Sequence, residues 1–292
     1  MKNRSIHKII PAQKVNMGGI YLDQPLPAAG IDQVDPFILL HHWNKKMDGG
    51  GQQKDHGVGP HPHRGFSPVT LIFKGGVHHQ DSRGNNSIIM EGGTQWMNSG
   101  MGIVHSERPN KELAEKGGVF EIIQFWVNAP AKNKMDEPSY QPLSKEDTPR
   151  FKSEDKKTDI AVVAGEVNGI KGPILTNSPL IVLRLTIEKG GKTTIPLPEH
   201  FNTLLYQLDG ALLVNGDRET TSKDMVWFKN DGNNISIKGM EDTHAILLAG
   251  EPIKEEITTY GPFVMNTQTE IMEAMRDYQM GKMGVLIEEF ES

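Results

Sequence analysis

Pro60-His61-Pro62-His63-Arg64-Gly65-Phe66 and, further along, Gly102-Ile103-Val104-His105-Ser106-Glu107 are the stretches that decide the fold. In an extended strand alternate side chains share a face, with i and i+2 about 6.5 Å apart. His61 and His63 therefore project together, and so do His105 and Glu107. Two such pairs on neighbouring strands bring three imidazoles and one carboxylate to a single point. A divalent ion takes imidazole nitrogens at about 2.0–2.1 Å, a distance neither strand has to distort to supply.

Neither pair says this alone. The chain has 11 histidines, so an isolated His-x-His arises easily by chance, and His-x-Glu is weaker still. They gain force together because Gly75-Gly76, Gly84-Asn85, Gly92-Gly93 and Gly100 cut the intervening segment into strand-length pieces. Pieces so punctuated fold back as hairpins and bring the two pairs side by side.

Four motifs in order, His61-Pro62-His63-Arg64-Gly65-Phe66, His79-Gln80-Asp81-Ser82-Arg83-Gly84, Gln95-Trp96-Met97 up to Gly100, and Gly102 to Glu107, resemble the pirin family. The resemblance runs over nearly the whole chain. It implies an all-β fold of two tandem cupin barrels (double-stranded β-helices) with a short C-terminal helix. It also implies one divalent metal ion per chain, held by His61, His63, His105 and Glu107. The sequence departs from the pattern at Ser67-Pro68, where pirins usually carry Glu-Thr. Strand alternation aims position 67 inward with His61 and His63, so a carboxylate is missing beside the expected site.

Composition sets the outer bounds. The 292 residues suit one large or two ordinary domains. Acidic side chains outnumber basic ones, 37 to 31, and no basic stripe stands out, so direct nucleic-acid binding is not expected. The chain has no cysteine, which removes disulfides, thiolate ligands and a thiol nucleophile. No stretch has the apolar length of a signal peptide or a membrane span, and a cytoplasmic location is the expectation.

Along the chain, Asp35 to His42 is expected to form a core strand, with structural roles for His41 and His42. Met47 to Gly59 is expected to be a surface loop with His56 solvated. Asp81 and Ser82 are expected to close a turn, and Trp96 to line the pocket. Glu121 to Val127 is another strand. The polar, proline-bearing run after it predicts a linker over 133–150, and with the resemblance this implies an N-terminal metal-binding barrel over 1–132 and a metal-free barrel plus helix over 151–292. In the second half, His200-x-Asn202 and His244-x-Ile246 are expected at the places of the two donor pairs. Near the C-terminus, Thr267 and Glu270 predict a capping box, and Ile271, Met275 and Tyr278 an apolar stripe.

The resemblance also implies chemistry, since several pirins are quercetinases that open a flavonol ring with O2. The expected substrate is then a small phenol of flavonol type together with O2, with Glu107 as both ligand and catalytic base. An oxygen–nitrogen ligand set without sulfur suits Fe(II), and Mn, Ni, Cu or Zn are compatible with it. The other reading is a non-catalytic metal-binding protein, a transcriptional co-regulator or a partner of a metabolic enzyme. It uses the same four residues.

Overall fold

The computed structural model describes residues 2–290, which form β-strands with two α-helices, Lys111–Lys116 and Gln268–Gln279. No helix among them is long and apolar enough to cross a membrane. The chain forms two compact units, 1–41 with 146–253 and 42–145 with 254–292. Composition suggests contiguous halves, whereas each unit takes in one end of the chain. The cause in the first unit is strand pairing: Ile6–Pro11 joins the second-half barrel beside Asp224–Phe228.

That unit is a sandwich of two sheets. The larger runs Ile6–Pro11, Asp224–Phe228, Asn202–Gln207, Thr243–Gly250, Leu180–Ile187, Thr158–Ala164, Arg150–Lys152; the smaller runs Lys192–Pro196, Asn234–Gly239, Ala211–Val214, Arg218–Thr221. Alternation explains the packing. Ile235 and Ile237 turn inward while Ser236 and Lys238 turn out, and the inward set meets Leu183, Leu205, Val226 and Leu247 of the larger sheet in one apolar core.

The other unit repeats the scheme. Its smaller sheet runs Val58–His63, Ile103–Pro109, Gly76–Asp81, Asn86–Met90; the larger includes Ser139–Leu143, Thr94–Asn98, Phe66–Lys74, Gly118–Asn128 and Phe37–Met47, in that order. The same topology shows which strands correspond. The counterpart of the His105 strand is Asn234–Gly239, with Ile235 and Ile237 at its inward positions. The sequence leads one to expect His244-x-Ile246 there, but Thr243–Gly250 occupies the place of Gly118–Asn128. Likewise His200 falls in the connection after Lys192–Pro196, outside the strand that matches Val58–His63. Apolar repeats align poorly by eye because any buried strand supplies them.

Residues 133–150 are not a simple linker, because Ser139–Leu143 pairs with Thr94–Asn98 and extends the larger sheet. At the other end of this unit, Thr267 caps the Gln268–Gln279 helix through the expected reciprocal bonds with Glu270. The helix buries Ile271 and Ala274 with Met275 beside them, against Val104, Phe263, Met265 and Met283. Tyr278, expected in the stripe, is 40% exposed near the helix end. Val104 alternates with His105, so helix and tail cover the outer face of the sheet whose inner face carries the histidines. The tail is tied down by Ser82 Oγ to the Met283 carbonyl (2.8 Å) and by the Arg108 guanidinium, which donates to both Glu288 carboxylate oxygens at 2.8 Å.

Gly65 links Val58–His63 to Phe66–Lys74 at φ +86°, where a Cβ would also overlap the Val264 carbonyl. Buried Lys134 crosses this junction, donating to the carbonyls of Gly65 (2.7 Å) and Val264 (2.9 Å) and to Asn128 Oδ1 (2.7 Å). Burial pushes its amine down to about 8 from the ordinary 10.5. Lys134→Met keeps the length of the side chain and strands three acceptors. A loss of about 3 kcal/mol of stability is expected, read from the denaturant midpoint; an unchanged midpoint would show the junction is held without it.

Candidate metal centre

Between the sheets of the second unit, an apolar cluster around Ile72, Val77, Ile89 and Ile122 fills one part of the interior, and buried histidines with polar side chains fill another. His61 and His63 lie on an edge strand, and that placement accommodates Pro60 and Pro62, which have no N–H to donate to a ladder. His105 sits on the neighbouring strand directly opposite His61, and Ile103 opposite His63. The three rings gather with centroids 4.4 to 4.9 Å apart. Each offers one nitrogen to a group whose members all lie within 4.8 Å of one another, the one such group among the described residues.

The protonation of the rings suits coordination. His61 Nδ1–H donates to the Gly59 carbonyl at 2.7 Å, which leaves Nε2 bare. His63 Nδ1 and His105 Nε2 are buried with no hydrogen-bond partner. Burial depresses all three imidazoles below the usual histidine range. For His63 and His105 the neighbouring imidazoles add to this, and for His61 the Gly59 carbonyl and Glu107 partly oppose it. Neutral imidazoles are the ligand form. Orphaned buried nitrogens are otherwise costly, so a divalent ion fits this constellation.

A bulge separates His105 from Glu107 in the pairing with Val58–His63. The Glu107 carboxylate is not in the 4.8 Å group. It is held by three neutral donors from the larger sheet: Thr70 Oγ1 (2.7 Å) and Gln95 Nε2 (3.2 Å) on one oxygen, Gln124 Nε2 (2.7 Å) on the other. Ser67 is buried but does not share the face of His61 and His63: Gly65 starts a new strand in the other sheet, whose inward positions are Phe66, Pro68 and Thr70, and the Ser67 hydroxyl donates to Asn98 Oδ1 at 2.6 Å on the face that carries Trp96.

Several residues go where the sequence does not put them. Trp96 is 1% exposed and lies edge-on to Phe125, away from the site, because Gln95 takes the inward position. The tryptophan beside the histidines is Trp126, tilted against Phe66 with ring centroids 4.3 Å apart and its ring 5.5 Å from His63. His56 is not solvated in full: its Nε2 is buried without a partner. His41 and His42 do have structural bonds, to Gln24 (2.8 Å) and Glu121 (2.9 Å). Asp81 closes the expected turn, accepting from the backbone N–H of Arg83 and Asn85. It also binds His79 Nε2 at 3.0 Å, and His79 Nδ1 faces His105 Nδ1 at 3.5 Å. Burial pushes the Asp81 carboxyl up, but its bonds to His79 and Asn85 outweigh that and leave it below the ordinary value.

A barrel of this design with a histidine cluster inside one unit and none at the matching strands of the other defines a two-barrel cupin. A family model described as Pirin matches residues 20–127, and one described as Pirin C-terminal cupin domain matches 182–284. The chain belongs to the pirin family. It is similar to a pirin-like protein of Solanum lycopersicum, 35% identical over 285 residues that cover 96% of this chain and 93% of that protein. It is also similar to pirin of Homo sapiens, 32% identical over 259 residues, 87% and 84% of the two chains. Among solved structures, quercetin 2,3-dioxygenase from Acinetobacter baumannii matches with a TM-score of 0.91 and 36% identity, covering 98% of this chain and all of the other (100%).

Proposed function

We propose that this chain is a metal-dependent dioxygenase that opens the ring of a flavonol-type phenol with O2, at a mononuclear centre held by His61, His63, His105 and Glu107. The observation that carries the reading is the pair of buried, unpartnered nitrogens, His63 Nδ1 and His105 Nε2, in a cluster spanning 4.8 Å. The likeness to the Acinetobacter quercetin 2,3-dioxygenase supports the substrate class. Fe(II) is the ion we favour, with Mn, Ni, Cu and Zn as substitutes, and the cytoplasm is the expected location. A bound divalent ion supplies Lewis acidity, acidifying a hydroxyl brought to it.

The residues do the rest. The three neutral imidazoles hold position without cancelling charge, so a divalent ion with one carboxylate keeps about +1 and favours an anionic phenolate or enolate. Glu107 receives the proton of the substrate hydroxyl on a carboxylate oxygen, and its donors Thr70, Gln95 and Gln124 keep it aimed. Trp126 and Phe66 form an apolar wall beside His63 against which a flat ring can lie. The test is loss of the flavonol absorbance band with matching O2 uptake by protein loaded with Fe(II) or its substitutes.

Stoichiometry is a separate expectation. Ile235 and Ile237 stand at the inward positions of the strand that matches His105 to Glu107, and neither side chain has a donor atom. One tightly bound equivalent per chain is therefore expected by elemental analysis of saturated, desalted protein. Two tight equivalents would refute the assignment.

A further inference from the structure

We propose that His79 and Asp81 are positioning residues for His105: together they fix which of its ring nitrogens carries the proton and which is left bare for the metal. This rests on the reading of His61, His63 and His105 as a metal centre.

The hydrogen bonds run in one direction. The Asp81 carboxylate accepts from the Arg83 and Asn85 backbone N–H groups on Oδ1 (2.9 and 3.1 Å) and from Asn85 Nδ2 and His79 Nε2 on Oδ2 (2.8 and 3.0 Å). A carboxylate that accepts on both oxygens is ionised and only accepts. His79 therefore donates from Nε2, and as a neutral imidazole has a bare Nδ1. That bare nitrogen faces His105 Nδ1 across 3.5 Å. The contact is favourable only if His105 carries its proton on Nδ1. In the other tautomer two lone pairs would face each other inside a buried site, and an N–H would be buried without an acceptor. The favoured tautomer leaves His105 Nε2 bare, and this is the buried nitrogen with no partner in the protein.

The ring of His79 is held against rotation. Tyr140 stacks on it with centroids 4.0 Å apart and planes 4° apart. The Tyr140 hydroxyl is fixed in turn by Gln95 Oε1 (3.1 Å) and Ser87 Oγ (2.8 Å). Because Gln95 spends its carbonyl on Tyr140, its amide N–H is the end that points at Glu107. One tyrosine, from the stretch that sequence suggests is a linker, thus supports both members of the His105–Glu107 pair. Groups that orient a ligand histidine are worth about 10–100-fold in metal affinity.

The test uses the full chain and has two parts. In metal-free protein labelled with ¹⁵N-histidine, long-range ¹H–¹⁵N correlation should show His105 protonated on Nδ1 and His79 on Nε2; a His105 protonated on Nε2 would overturn the proposal. In calorimetric titration with Co(II), Asp81→Asn should bind about 10–100-fold more weakly than wild type, with a changed Co(II) visible spectrum. Its amide no longer compels a proton on His79 Nε2, yet Oδ1 can still close the turn. Ser82→Ala disturbs the same turn, at the bonds to Met283 and Val104 N, without touching the relay, and should bind Co(II) as wild type does. Wild-type affinity in Asp81→Asn, or an equal loss in Ser82→Ala, overturns the relay alone. A wild-type chain that binds no Co(II) overturns the metal centre and the relay with it.

Discussion

His105→Ala is expected to bind a divalent ion about a thousandfold more weakly than wild type, on the order of 4 kcal/mol, while its secondary structure is unchanged. His105 is 2% exposed on a strand flanked on both sides, by Val58–His63 and Gly76–Asp81. Its backbone pairing does not depend on its side chain, so alanine keeps the ladder. What alanine removes is one of the three nitrogens gathered within 4.8 Å and the group that answers His79 Nδ1. His61 and His63 come from one strand and cannot surround an ion by themselves. The cavity and the exposed His79 lone pair should cost about 1–3 kcal/mol of metal-free stability, separable from the binding loss by denaturation without metal. Calorimetry with Ni(II), alongside circular dichroism, reads both. Wild-type affinity in this variant would mean that His105 is not a ligand.

The histidine cluster was legible because it depends on the shortest-range rule a strand obeys: side chains two apart share a face. His61, His63 and His105 needed only that rule and the glycines that turn the chain between them. Gln95, Gln124, Thr70 and Tyr140 were not legible, since each reaches Glu107 or His79 across the gap between sheets, and sheet-to-sheet distance is written in register and topology. Trp96 shows how small the margin is. A shift of one position exchanges inside for outside, and Gln95 took the inward place. The N-terminal strand Ile6–Pro11 joined the second-half barrel for a similar reason: nothing local in it says which sheet edge it will complete. The second-half strands were matched to the wrong partners because alternating isoleucines and leucines fit any inward face, whereas His-Pro-His fits few.

Glu107→Gln should cut flavonol turnover by about 10²–10⁴-fold, the usual worth of a positioned general base. The substitution nearly preserves shape, yet three features of the site make it severe. It removes the proton acceptor. It also changes the charge offered to a bound divalent ion. Third, all the partners of the carboxylate are donors to it: Thr70 Oγ1–H and Gln95 N–H on Oε1, Gln124 N–H on Oε2. A glutamine must turn its own NH2 toward one of these, so a donor meets a donor and the side chain leaves its aim. Ser67→Ala is the matching control, because the Ser67 hydroxyl is spent on Asn98 and touches neither the charge nor the proton. Its turnover should stay within about threefold of wild type, a shift of well under 1 kcal/mol. Both variants are compared after reconstitution to equal metal content, so that the rate reports the base and not the occupancy. If Glu107→Gln then turns over flavonol at the wild-type rate, the proton goes elsewhere and the base assignment falls. If the wild-type chain, loaded with Fe(II) or its substitutes, consumes no flavonol, the histidine cluster between these sheets serves a metal-dependent interaction protein, and Glu107 is there for its charge alone.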